Sequence, residues 1–179
     1  RFNCGAGKIV LNGGRVQGIV TDDGDEISAP FVISNASTLA TYTDLIGPEH
    51  VPADKLPMLG ARSLGPSAVT VYCGLDCTAE DLGIDVSTQF LALDADMDSQ
   101  FAAWRSLEPA RSCTLTCYSH VDPSFAPAGA CQVAIINLQY ADHWYGVPPA
   151  QYAETKYRYA QGLLDMAEKV YPGFRDALE

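Results

Sequence analysis

The sequence predicts an α+β fold in which a mixed, largely antiparallel β-sheet is packed with helices. Three observations carry this expectation. Short β-rich runs are joined by hairpin-type turns, helical periodicities are scattered irregularly among them, and the chain closes on a long segment of helical spacing. A repeating strand-helix-strand order, the mark of a parallel sheet, is absent. With 179 residues the chain is long enough for one well-buried domain, or for one domain and a piece of another.

Lys8 to Leu11 and Arg15 to Thr21 are β-rich runs separated by Asn12-Gly13-Gly14, residues that supply the positive φ of a tight hairpin turn. Asp22-Asp23-Gly24-Asp25 makes a second turn, leading through Glu26 to Ala29 into Phe31-Val32-Ile33, which reads as a short buried strand. Pro30 has no N–H for a ladder and is expected at an edge or bulge. Asn35 or Ser37 is the expected cap of a helix over Thr38 to Ile46, where Leu39, Tyr42, Leu45 and Ile46 fall at helical spacing before Gly47-Pro48. A second short helix is expected over Ala53 to Ala61, interrupted or kinked at Pro57.

Ser67 to Leu75 and Phe90 to Leu93 read as strands, and Ser99 to Leu107 as a helix with Phe101, Trp104 and Leu107 on one stripe. Cys113 to Tyr118 and Cys131 to Leu138 are two further strands, joined by the rigid, proline-set connection Asp122 to Gly129. The closing helix, Ala150 to Val170, repeats Tyr152, Lys156, Tyr159, Leu163, Ala167 and Val170 at threes and fours. Gly162 costs it about 1 kcal/mol relative to alanine and is expected to mark a close helix contact.

A hydrophobic content of 47% with 18% charge is that of a folded protein, and no apolar run reaches bilayer-spanning length. The net charge of −11 repels phosphate backbones and argues against nucleic-acid binding. Asp94-x-Asp96-x-Asp98 echoes the start of a calcium loop but lacks its glycine and terminal glutamate. The six cysteines include two Cys-x-x-x-Cys pairs. Cys113 and Cys117 lie about 13 Å apart along a strand and cannot share an ion. Cys73 and Cys77 would need ligands from elsewhere, so reduced, buried cysteines and no metal are expected. Ser119-His120-Val121-Asp122 lacks a nucleophile elbow and is not a hydrolytic triad. Cys4-Gly5-Ala6-Gly7 precedes a strand, whereas a dinucleotide fingerprint must open a helix.

The order from Gly14 to Ala36, GRVxGI, then DG, then IxAxxVISNA, resembles the FAD-dependent amine-oxidase-like oxidoreductases, in the branch of phytoene desaturases, carotenoid isomerases and retinol saturases. Two later stretches are similar to the same family. Ser119, Asp122, Pro123, Ala126, Pro127 and Gly129 match its SxxDPxxAPxG pattern. Tyr152 and Lys156, followed by Pro172-Gly173-Phe174-Arg175-Asp176, match a YxxxK helix and a PGxRD turn.

That resemblance implies the substrate-domain fold of these flavoenzymes, with residues 1–35 a remnant of an FAD-binding domain and 36–179 a substrate or cap domain. It places Ser34, Asn35 and Ala36 nearest the flavin and supplies no catalytic residue. FAD would be held by the parent protein, whose main phosphate cradle lies upstream, and this fragment would bind none and be inactive. The implied substrate is a lipophilic polyene or a related molecule, undergoing desaturation, saturation or isomerisation. The implied partners are the missing FAD-binding domain of the same protein and, peripherally, a membrane. A surface bared by that domain's absence would promote self-association. The expected location is cytoplasmic, membrane-peripheral in the parent protein, and the absence of an initiating methionine and signal peptide is read as excision from a longer chain. The alternative is a non-catalytic α+β module that binds a ligand or a protein.

Overall fold

A computed structural model describes residues 2–179, which divide into two compact units, one ending at Leu64 and the other running from Gly65 to Glu179. The seam between compact units therefore lies at Leu64 and Gly65, and residues 36–64 belong to the same unit as the hairpin.

The first unit is built on a three-stranded antiparallel sheet of β1 (Ala6–Asn12), β2 (Arg15–Thr21) and β3 (Glu26–Ser28), in that order. Asn12 pairs with Arg15 across Gly13 and Gly14, whose φ values of 56° and 75° are those the two-residue turn requires. Ala29 still donates to the Gln17 carbonyl, but the chain then leaves the sheet at Pro30. The expected buried strand Phe31-Val32-Ile33 is therefore a correction. It is irregular, with Phe31 84% and Ile33 97% exposed, because β2 already has a neighbour on each side and no edge receives the run.

Beyond it, α1 (Thr38–Ala40) continues as a π-helical stretch, Thr41–Ile46, closed at Gly47 with φ 92°. Ser37, not Asn35, is the N-cap residue, and it acts through its carbonyl, which accepts from the Thr41 N–H. The short helix α2 (Lys55–Gly60) begins later than expected and runs through Pro57 without a break. Pro57 is its third residue, where the missing N–H has no helical acceptor to lose.

The second unit is a four-stranded antiparallel sheet with α6 (Pro149–Val170) against one face. Its strands are β4 (Ser67–Leu75), β5 (Thr88–Ala92), β6 (Ser112–Cys117) and β7 (Cys131–Gln139), in the order β4-β7-β6-β5. Strand alternation divides the side chains cleanly. Cys73, Leu75, Cys113, Leu115, Cys117, Cys131, Val133 and Ile135 form a core with Tyr159, Leu163 and Ala167 of α6 and with Phe174 beyond it. Each fully buried leucine or isoleucine in it contributes about 1.5–3 kcal/mol. Four cysteines of this unit are buried, all as thiols.

Between β5 and β6, α3 (Met97–Ala103) is capped by Asp96, whose side chain accepts from the Ser99 N–H. It begins before Ser99 and ends at Ala103, so Leu107 is not on it. The β6–β7 connection opens with the single turn α4 (Tyr118–Val121), a 3-10 turn Pro123–Phe125 capped by Asp122, and a positive-φ Gly129. A turn α5 (Asp142–Tyr145) precedes α6. Gly162 makes no close contact: a Cβ there would meet nothing within 4 Å. After α6, the Glu168 carboxylate accepts from the Gly173 and Arg175 N–H groups, which fixes the PGFRD turn and seats Phe174 in the core. The chain end then joins the sheet margin, with Asp76 N–H donating to Ala177 O and Leu178 bridging Leu75.

Candidate functional site

One face of the second unit's sheet carries α6; the other is exposed at Tyr72, Phe90 and Leu138 and buried at Ala134 and Thr116 on its two middle strands. The register assigns the residues of this open face. Tyr72 lies beside Ala134, Ala134 beside Thr116, and Thr116 beside Thr88. In the next row Thr70, Ile136, Thr114 and Phe90 lie side by side across all four strands, and Ala68 neighbours Leu138. None of these residues is charged, in a chain with 33 charged Lys, Arg, Asp and Glu side chains (11 + 22).

An open antiparallel face ordinarily presents polar and charged groups to water. Here Tyr72 is 76% and Phe90 85% exposed at its two margins, about 14 Å apart, with Ile136 and Leu138 between. A hollow of about 450 Å³ lies over the β5 side of this sheet, walled by Phe90, Ala92, Trp104, Thr114, Ile136 and Leu138 among others. The hydroxyls present are neutral and partly spent on one another, Thr88 donating to Thr116 Oγ1 at 3.4 Å. Such a surface can hold an extended apolar molecule by dispersion and desolvation. Nothing in the sequence distinguished its residues from core. Trp104 is on this hollow, whereas Tyr152 lies on α6.

Ser34, Asn35 and Ala36 lie in the first unit, exposed, on the irregular segment between β3 and α1. Ser34 Oγ is 2.7 Å from Thr41 Oγ1. A shallow hollow of about 690 Å³ sits just before them, bounded by Arg15, Gln17, Ser28, Pro30 and Phe31, and the three residues are not in its walls.

The glycines of Cys4-Gly5-Ala6-Gly7 have a local explanation. Gly5 O accepts from Asp22 N–H, and a Cβ on Gly5 would stand 2.1 Å from Asp22 Oδ2. They make room for a carboxylate and run into β1, so this loop does not fit a pyrophosphate, which needs free N–H groups at a helix start.

The other constellations have structural duties. Asp94 pairs with Arg111, and Asp96 is held below the usual carboxylate range by its Ser99 hydrogen bonds while it caps α3. Ser119 and His120 sit on the helical turn α4, where Ser119 Oγ accepts from Gln132 N–H, and Asp122 accepts from Ser124 N–H. Ser119 and His120 thus lie on a helical turn and not on a strand. They border an open hollow of about 770 Å³ with Glu80, Asp85 and Cys131. Beside it the Cys131 thiol hydrogen-bonds those of Cys77 and Cys117, and burial pushes it up to about 12, far from thiolate. Among the described residues, no three His, Cys, Asp or Glu side chains are grouped to hold a metal ion.

No family model matches the chain. Curated relatives do. Prolycopene isomerase of Arabidopsis thaliana is 27% identical over 99% of this chain, and prolycopene isomerase of Daucus carota 23% over 99%. A Danio rerio protein described as an inactive all-trans-retinol 13,14-reductase is 27% identical over 89%. This chain is related to these proteins. The alignment with the Arabidopsis protein covers 99% of this chain and so runs through both compact units. The chain spans 29% of the Arabidopsis relative's length. An oxidoreductase of known structure from Methanosarcina mazei is similar over 96% of this chain and 34% of its own, at 19% identity and a TM-score of 0.45.

Proposed function

We propose that this chain is the substrate-side part of an FAD-dependent oxidoreductase whose substrate is a lipophilic polyene or a related molecule. The uncharged open face of the β4-β7-β6-β5 sheet carries the reading, and the names of the relatives, isomerases of prolycopene and a retinol reductase, support the substrate class. In this reading the remainder of the protein holds FAD, which exchanges hydride equivalents with the substrate, and the open face orients the apolar chain and excludes water. Residues 1–35 are then the flavin-side remnant, with Ser34, Asn35 and Ala36 beside the flavin, and 36–179 the substrate side. The 179-residue chain alone is inactive, binds no FAD and self-associates through its uncovered face. The whole protein is cytoplasmic and touches membranes peripherally, where its substrate is dissolved. No described helix is long and apolar enough to cross one.

A second reading, a non-catalytic binding module, is favoured by one observation: the Danio rerio relative is described as inactive. Expression of the whole protein decides between them. The oxidoreductase reading expects flavin absorbance after purification and conversion of a polyene probe such as prolycopene or all-trans-retinol. It also expects Phe90→Glu, which puts a charge on the exposed face without touching the core, to lower turnover at least tenfold with flavin content unchanged. A whole protein without flavin, or one whose turnover ignores Phe90→Glu, overturns it.

A further inference from the structure

The order β4-β7-β6-β5 leaves β4 with a neighbouring strand on one side only, and its register with β7 runs from Ser67 to Leu75 without a bulge. The chain end shows which backbone groups point away from β7. Leu178 bridges Leu75, Glu179 N–H donates to the Gly74 carbonyl, and Asp76 N–H donates to the Ala177 carbonyl. Backbone groups alternate in direction along an antiparallel strand, so even-numbered residues turn both of theirs outward and odd-numbered ones pair with β7. Leu178 and Glu179 occupy this edge only at Leu75 and Gly74. The outward N–H and carbonyl groups of Ala68, Thr70 and Tyr72 face no strand among the described residues.

Edge strands are ordinarily guarded by a charge, a proline or a bulge. From Ser67 to Leu75 β4 has none of these, and Ala68 and Tyr72 are exposed on it. Its apolar row is also half finished, since Val69 and Val71 pack against the core yet are only partly buried. The hollow that flanks the edge, walled by Ser67, Ala68, Val69 and Thr70 among others, carries one charged side chain, Lys156. On a chain of net charge −11, this is a place where a second copy is attracted rather than repelled.

We propose that the β4 edge is a docking surface for a second copy of this chain, paired antiparallel about a two-fold axis at Thr70 so that the two sheets become one. In that register every outward N–H meets an outward carbonyl: Thr70 exchanges both bonds with the second copy's Thr70, and Ala68 does so with the second copy's Tyr72. Val69 comes opposite the second copy's Val71, a β-branched pair that completes the burial of both. The ladder stops where the edge does. One step farther, the position opposite Gly74 is held by Glu179, and the residue that would reach it, Pro66, has no N–H to offer. This edge is at the opposite margin of the sheet from Phe90, and its pairing does not depend on the polyene reading or on flavin.

The test uses the 179-residue chain. Sedimentation velocity over about a hundredfold range of concentration is expected to show monomer passing to dimer and no larger species, because an isologous pairing closes on itself. Amide exchange identifies the surface. The Thr70 and Tyr72 amides are expected to gain about tenfold protection or more as the dimer forms, whereas the Val71 amide, bonded to β7, is protected throughout. Thr70→Pro removes one outward N–H and no bond to β7, so it is expected to weaken the dimer at least tenfold with an unchanged circular-dichroism spectrum. Where that variant fails to fold, amide exchange on the parent chain decides alone. Phe90→Glu is expected to leave the dimer intact. A chain that stays monomeric, a dimer whose Thr70 and Tyr72 amides still exchange freely, or one dissociated by Phe90→Glu but not by Thr70→Pro overturns the proposal, the last outcome assigning association to the open face instead.

Discussion

The Tyr159 hydroxyl on α6 donates to Asn137 Oδ1 on β7 at 2.6 Å, and this bond ties the helix to the sheet through a polar contact inside an otherwise apolar core. The same oxygen accepts from Gln139, so its removal orphans two groups at once. Tyr159→Phe is expected to destabilise the second unit by about 2–3 kcal/mol while leaving the packing of the ring intact. Urea denaturation checks it: the midpoint falls with the slope unchanged.

Burial pushes the Cys73 and Cys113 thiols from the ordinary 9.0 up to about 11, and it raises the Tyr159 phenol as well. For groups raised by folding, the neutral form is favoured in the native state. For the two thiols the stabilisation is complete below the unfolded value near 9.0 and is lost as pH rises through about 11. The urea midpoint is therefore expected to hold from pH 7 to about 9 and to fall from there to 11, with a shallower fall in Cys113→Ala. A flat profile would refute this.

Glu168 has the opposite sign. The Gly173 and Arg175 N–H groups that it accepts, the Gly173 bond foremost, hold its carboxyl below the usual range. Its contribution is present above the unfolded value near 4.5 and disappears as pH falls through the folded one. Glu168→Gln is expected to lower the thermal midpoint at pH 7 and to converge with the parent chain at low pH. Parallel melting curves at pH 7 and pH 3 are the measurement.

Gly18 sits in β2 at φ 148°, with its Cα facing the backbone of β3 so closely that a Cβ would stand 2.0 Å from the Ile27 carbonyl oxygen. Gly18→Ala is expected to cost the first unit about 2 kcal/mol or more and to detach β3, because the clash is with backbone and cannot be relieved by a rotamer. Amide exchange reports it: protection of the β2–β3 amides is lost while that of β6 and β7 is retained.

Several elements were legible because their signals are local. Gly13-Gly14 demands its hairpin, the alternation of SAVTVYCGL runs from Ser67 to Leu75 as β4 does, and the spacing of Tyr159, Leu163 and Ala167 marks the face that α6 buries. Phe31 to Ile33 misled because an apolar run states a preference for burial without supplying a partner strand. Ser99 to Leu107 misled at both ends, since Asp96 caps α3 earlier and the helix stops at Ala103, where the carbonyl is taken by Gln139.

The sequence by itself determined the fold class, nearly all the strands, the closing helix and the kinship carried by VISNA, DPSFAPAG and PGFRD, all of which depend on residues near one another in the chain. Only the tertiary structure decided which strand faces are covered. Tyr72, Ile136, Thr114 and Phe90 become one uncharged surface through pairings between distant residues. Alternation along a strand says that two faces exist; which of them α6 covers is settled by long-range packing and by the direction that the Ser112 and Ala103 carbonyls impose on the buried amides.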